Sequence, residues 1–417
     1  MVEDFAARIG IDWADKKHDI CLLAADSERL ERTVLKHQPE CIDDWARALR
    51  ERFGGKPVAV CLELAKGPLV SALQKYDFIF IFPVHPAALA NYRKTWTPSG
   101  AKDDPTDAEL ALDILIRHPD RLRRLAPQSA EMRALQQLVE QRRKLVNDRV
   151  RVTNRLTYAL KAYFPQPLEW FEEKATNVFC DFLERWPSVR EARRARRDVL
   201  SSFFLEHNVR RRDKIEQRIE AIKRAVPLTE DPGVVGPAKL LVKALIAQLR
   251  PLLVAIKSFD EEIARVCNRL ADFEIFDGLP ASGDAFGPRL LAAFGEDRNR
   301  YQSAAEVQRH VGIAPVTERS GESEWVRWRF QCPKFLRQTF VEWAAQTIPH
   351  SFWAGIHYQQ QRSRGASHQT AVRSLAYKWI RILFRCWKDG TRYDESRYLN
   401  ALRTRGSPLL ALASKTS

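Results

Sequence analysis

Between Pro57 and Glu63 the chain reads Pro-Val-Ala-Val-Cys-Leu-Glu, an unbroken apolar run closed by a single acid. A run this short, with no polar alternation, suits a strand buried on both faces, in the middle of a sheet. The neighbouring segments supply the rest of such a sheet and its helices. Residues 8–14, Arg-Ile-Gly-Ile-Asp-Trp-Ala, and residues 18–25 read as two strands joined by the polar turn Asp15-Lys16-Lys17. An amphipathic helix near 40–53 precedes the run, a helix near 68–76 follows it, and Phe78–Phe82 is another apolar strand. The order strand, strand, helix, strand, helix, strand, helix, loop, helix predicts an α/β domain over residues 1–127.

Acids stand at telling places in that domain. In the first strand Ile9, Ile11 and Trp13 share one face, so Gly10 and Asp12 point to the other. A carboxylate inside an apolar strand is costly to bury unless a metal or hydrogen bonds compensate it. Glu63 closes the central strand. After the loop Ser99-Gly-Ala-Lys102-Asp-Asp104, Pro105 suits the first helical position, which makes Asp104 the N-cap and sets Asp107 one turn on. The pair could converge on a divalent cation, with Lys102 facing a phosphate. The same letters also make an ordinary well-capped helix start, so partner carboxylates decide between the two. Asp12 and Glu63 are such partners, and four carboxylates could hold two Mg²⁺ about 4 Å apart for phosphoryl transfer.

The formal net charge of +15, with a pI near 9.6, asks for a polyanionic partner, nucleic acid before an anionic membrane surface. No apolar stretch approaches the roughly 20 residues that span a bilayer, and no signal-like segment opens the chain, so the cytoplasm is the expected location. The seven cysteines are scattered without CxxC spacing, which fits reduced thiols rather than disulfides or zinc.

From 128 to 275 the sequence turns helical and charged. Leu135, Leu138, Leu145, Val152, Leu156 and Leu160 recur at helical spacing, and a second long helix over Lys239–Leu270 is expected to pack antiparallel on the first as a coiled-coil-like arm. Thr229–Pro237 reads as the loop before it. Between Arg190 and Arg224 stand twelve basic residues against six acidic ones, and Arg193, Arg194, Arg196, Arg197, Arg210, Arg211 and Arg212 are candidates for phosphate contacts. Residues 276–417 form a mainly α-helical unit that opens on a turn, Pro280-Ala-Ser-Gly283, between two helices. Farther on, Ser320 lies in an expected loop between Arg319, whose guanidinium could hold a phosphate oxygen, and Gly321, which permits close approach.

Taken together, Gly10-Ile-Asp12, Leu62-Glu63, Lys102-Asp-Asp104-Pro-Thr-Asp107-Ala108, Asn154-Arg-Leu156, Tyr163-Phe-Pro165, Gly312-Ile-Ala-Pro315 and Ser320-Gly321 resemble the DEDD transposases of the insertion-sequence 110 family, the bridge-RNA-guided recombinases. The resemblance covers nearly the whole chain. It implies a ribonuclease H-like, RuvC-like domain in which Asp12, Glu63, Asp104 and Asp107 bind Mg²⁺, and a C-terminal transposase domain in which Ser320 is the nucleophile. It further implies homo-oligomers, in which one protomer's acids meet another's serine, and a structured guide RNA that pairs with double-stranded DNA. The sequence departs from the family at Pro280-Ala-Ser-Gly283, where Pro-Gly-x-Gly is usual, and at Cys332-Pro333 in place of Gly-Asn. Ser282 is a second candidate serine. Two other readings stand beside the transposase: a metal-dependent, structure-selective endonuclease of the resolvase kind that uses water as nucleophile, and a nucleic-acid-binding scaffold whose acids are structural.

Overall fold

The computed structural model describes residues 4–63, 65–96, 104–126, 128–407 and 409, and of Trp96, Asp104 and Pro105 the backbone only. The chain divides into two compact units, Met1–Pro127 and Gln128–Ser417.

The first unit is a five-stranded mixed sheet with helices on both faces. Its strands are β1 (Ala7–Trp13), β2 (Lys17–Ala24), β3 (Glu31–Lys36), β4 (Val58–Leu62) and β5 (Ile79–Pro83), in the spatial order β3-β2-β1-β4-β5. β1, β4 and β5 run parallel, and β2 and β3 turn antiparallel on the outer side of β1. All five residues of β4 are buried, as the apolar run required. The edge strand β3 escaped the sequence reading because Arg32, Thr33, Val34 and Lys36 are exposed, which leaves little apolar signal. Helices α1 (Pro39–Arg52) and α2 (Pro68–Leu73) cover the face that carries Ile9 and Ile11, through Ile42, Ala46, Leu49, Leu69, Val70 and Leu73. On the other face lie α3 (Pro86–Trp96) and α4 (Asp104–Arg117), with Leu89, Leu110, Ala111, Ile114 and Leu115 against Ala59 and Cys61.

The second unit contains the helices α5 (Ala130–Lys161), α6 (Pro167–Trp170), α7 (Asn177–Arg185), α8 (Val189–Arg194), α9 (Arg197–Glu206), α10 (Arg212–Arg224), α11 (Pro232–Cys267), α12 (Phe273–Asp277), α13 (Gly283–Phe294) and α14 (Ala304–His310). A hairpin of β6 (Val316–Ser320) and β7 (Ser323–Arg327) follows, then α15 (Lys334–Thr347), α16 (Phe352–Ser363), α17 (His368–Asp389) and α18 (Glu395–Thr404). α5 and α11 are antiparallel. Met132, Leu135 and Val139 share a core with Ile263, Val266 and Cys267, whereas Val152, Leu156 and Leu160 share another with Val242, Leu245, Ile246 and Leu249. The first core also holds Trp343, Trp353, Trp379 and Trp387 from the C-terminal helices, and the second is completed by α6–α10. Residues 128–275 and 276–417, expected as separate regions, therefore lie in one compact unit, because the two long helices contribute to both cores.

Helix α11 also begins seven residues before the expected Lys239. Asp231 caps it by accepting from the Gly233 amide at 2.8 Å, and Pro232 stands in the first turn, where a missing N–H costs nothing. The segment Thr229–Pro237, read as a loop, is thus mostly helix. No described helix is long and apolar enough to cross a membrane, and all seven cysteines are free thiols.

Candidate active site

Three local facts build the acidic end of the sheet. In the parallel pairing of β1 with β4, Gly10 stands beside Cys61 and Ile11 beside Leu62. Continued by one residue beyond the last pair, that register would set Asp12 and Glu63 next to each other, on the face that Gly10 and Cys61 share, at the C-terminal ends of adjacent parallel strands. This end is where open α/β sheets bind their ligands. Helix α4 crosses the same face at a separation only glycine permits: a Cβ on Gly10 would lie 2.0 Å from the Ala108 carbonyl oxygen and 2.5 Å from the Leu112 nitrogen. The close packing fixes the first turns of α4, and with them Asp107, directly before Ala108.

Asp107 is 1% exposed, and its carboxylate is already engaged. Arg93 of α3 donates from Nε to Oδ1 and from Nη2 to Oδ2, each at 2.6 Å, in a bidentate pair. Sequence reading missed Arg93, since nothing local marks a basic residue near a helix end as the partner of an acid 14 positions on. The side chain of Asp104 and the whole of Lys102 lie outside the described residues. Across the strands Asp12 pairs with Asp19, a buried acid at 3.7 Å from Lys17. Among the described residues no three acidic, histidine or cysteine side chains gather closely enough to hold a metal ion. The donors at this sheet end are nevertheless all carboxylate oxygens, which suit a hard divalent cation such as Mg²⁺.

The serine region differs from its expected form. Ser320 is the last residue of β6, paired with Ser323, and Gly321 supplies the positive φ of 59° that the turn needs. Ser320 is exposed, and the Arg319 guanidinium is engaged by Glu324 at 2.7 Å. Ser282 is 3% exposed and donates its hydroxyl to the carbonyls of Asp277 and Leu279 at 2.5 and 2.8 Å, which removes it as a candidate nucleophile. The turn that holds it, between α12 and α13, is tied down by the Trp343 indole, which donates to the Pro280 carbonyl at 2.9 Å.

The nominated arginines of the middle region are all exposed. Arg196, Arg197 and Arg211 are paired with Asp198, Glu216 and Asp213, at 3.6, 2.8 and 2.6 Å. Arg193, Arg194, Arg210 and Arg212 have no acidic partner among the described residues.

Residues 9–165 match a DEDD transposase family model of the IS110 type, and residues 274–360 match the model described as the transposase IS116/IS110/IS902 family. The chain belongs to the IS110 family of DEDD transposases. Among its relatives is the "Mini-circle putative transposase for IS117" of Streptomyces coelicolor, 27% identical over 395 residues, which cover 93% of this chain and 95% of the relative. An IS116 protein of 44.8 kDa from Streptomyces clavuligerus is 25% identical over 397 residues, with 91% and 94% covered. This IS110-family transposase is accordingly an enzyme of DNA, and its helix-flanked mixed sheet is consistent with a ribonuclease H-like DEDD domain, a class that generally implies divalent metal use.

Proposed function

We propose that the protein is a site-specific transposase and recombinase of an insertion sequence, with a RuvC-like domain over the first unit, in which Ser320 is the nucleophile toward a DNA phosphodiester. The observation that carries this reading is the register of β1 on β4, which supports Asp12 and Glu63 as neighbours at the ligand-binding end of the sheet. Asp12, Glu63, Asp104 and Asp107 would hold Mg²⁺, in a two-ion arrangement. When bound, the metal supplies a Lewis acid that activates an attacking oxygen and stabilises a leaving one. Gly10 and α4 keep the carboxylates in place, and Arg93 orients and neutralises Asp107. Ser320 Oγ forms an ester bond to the DNA phosphorus while the bond to a sugar oxygen breaks, and the serine proton passes to that oxygen or to solvent. The new phosphoserine linkage retains the energy for rejoining the strand. In the homo-oligomer that the family resemblance implies, the site would be composed from two protomers, with the acids of one and Ser320 of the other. A structured guide RNA would select the DNA, and the unpaired arginines of the cap formed by α6–α10 would meet phosphates of either nucleic acid.

The test is Ser320→Ala in a strand-exchange assay read by covalent protein–DNA adducts. The variant loses at least about 10³-fold in adduct formation with nucleic-acid binding nearly unchanged. Mixed with an Asp12→Ala protein, it recovers part of the activity if the site is shared between protomers. Cleavage by Ser320→Ala at the normal rate would make water the nucleophile and the protein a resolvase-like endonuclease.

A further inference from the structure

We propose that Trp325, on the serine face of the β6–β7 hairpin, is the centre of a stacking platform for unpaired bases of single-stranded DNA beside Ser320. The placing of Trp325 at the cleaved strand rests on Ser320 as nucleophile; the platform itself does not. Four large apolar side chains lie uncovered within six positions: Trp325 at 54% exposure, Val326 at 65%, Trp328 at 40% and Phe330 at 76%. No other described segment of that length leaves so many uncovered, and such surface on a soluble fold marks a contact.

The register fixes how the aromatic groups stand to the serine. Ser320 pairs with Ser323, and Glu318 pairs with Trp325. Ser320, Ser323 and Trp325 therefore share a face, with Trp325 as the diagonal neighbour of Ser320, about 7–8 Å away. The ion pairs agree with that alternation: Arg327 meets Glu318 on the serine face, and Arg319 meets Glu324 on the reverse. Of the hairpin's acids only Glu322, in the turn, has no cation partner among the described residues, and the cations around the base of the hairpin stand in excess of it. Arg329, Lys334, Arg337 and Arg373 have no acidic partner among the described residues. Arg373 lies over the Trp328 ring, and burial together with the positive charge of Arg337 lowers its pKa to about 10.

Apolar rings bordered by unneutralised guanidinium groups match the two halves of a nucleotide, a π-face and a phosphate. A second copy of the chain would cover the rings, but the four acids it would bring to Ser320 in the proposed composite site are the metal's ligands and leave the cations unmet. A duplex would satisfy the cations but leaves its base faces stacked and closed to the rings. An unpaired strand satisfies both, and a base held on Trp325 would bring its adjoining phosphate toward Ser320 Oγ.

The full-length chain is titrated with oligothymidylate and with an abasic oligonucleotide of the same length. Trp325→Ala binds oligothymidylate about tenfold more weakly, since one stacked base is lost, and binds the abasic strand as the parent does. Trp325→Phe keeps most of the affinity, which a role in folding alone would not require. Ser320→Ala leaves both affinities unchanged, so failure of the nucleophile shows in adduct formation and failure of the platform shows here. Equal binding of oligothymidylate by Trp325→Ala and the parent overturns the inference. So does an equal loss on both strands, and so does a change of oligomeric state with oligothymidylate affinity retained, which would give the face to a second copy.

Discussion

The acidic sheet end and the serine hairpin are built on opposite principles. At the sheet end the backbone sets the frame: the register of β1 on β4 leads up to Asp12 and Glu63, a helix lies on Gly10 with no room for a Cβ, and Asp107 is buried against Arg93. The hairpin is a two-stranded ribbon exposed on both faces, joined to its unit at one end, with Ser320 beside the turn. On the proposed function, rigidity is concentrated where charges would be held together against their repulsion, and exposure where Ser320 would reach its macromolecular substrate. Substitutions should therefore cost stability at the sheet end and function at the hairpin.

Arg93→Ala offers the largest break in that contrast. It leaves the Asp107 carboxylate buried without its cation, at a cost of about 3–5 kcal/mol, read as a fall in the unfolding midpoint of the first unit. Mg²⁺ should then raise the midpoint more in the variant than in the parent, because the ion takes over the neutralisation of Asp107. An equal response in both proteins would remove Asp107 from the metal set. Gly10→Ala comes next, at about 1–3 kcal/mol, since the Ala108 and Leu112 backbone cannot yield as a flexible side chain would. An unfolding midpoint equal to the parent's would mean that α4 is not anchored on β1.

The smallest effect is a shared dependence on acid. Burial, with the neighbouring His37, lowers the pKa of His18 to about 4, and burial with the charges of Lys378 and Arg364 does the same for His357. Both rings are fully enclosed or nearly so. Their folded pKa lies below the unfolded value near 6.5, so above that pH both states are neutral and nothing is lost. As the pH falls from about 6.5 toward 4 only the unfolded chain takes up the proton, and each ring removes roughly 2 kcal/mol of stability by about pH 5. His18 lies in the first unit and His357 in the second, so both transitions should move. His357→Gln should flatten the second only, and only in part, since burial and the charge of Arg300 also lower the pKa of His310 in that unit to about 4; a second-unit transition that keeps its full acid slope in this variant would clear His357 as a cause.

Four of the five strands of the first unit were legible in the sequence because they follow from short-range pattern: β4 is apolar without a break, and alternation sends Gly10 and Asp12 to one face. Pairings made by the tertiary fold were not. Arg93 has no periodic or spacing signature that points to Asp107, and β3 carries exposed polar residues where a buried strand would be apolar. Pro-Gly-Val-Val-Gly-Pro has the letters of a loop, yet a capping aspartate and a first-turn proline start α11 there. The hairpin was hidden for a related reason: its outward residues include tryptophan and valine, which in sequence look like core. The sharing of α5 and α11 between two cores was not legible either, since a long apolar stripe does not say which neighbours cover each of its halves.

The length of α5 has one further consequence. Its residues in the C-terminal core centre on Leu135 and those in the cap core on Leu156, a separation of about 30 Å along the axis at 1.5 Å per residue. With no proline between those points, the helix is a ruler. It separates the basic cap from the core that carries the serine hairpin by roughly nine base pairs of duplex at 3.4 Å each, so a nucleic acid lying along it would meet both on nearly the same side of its helical turn.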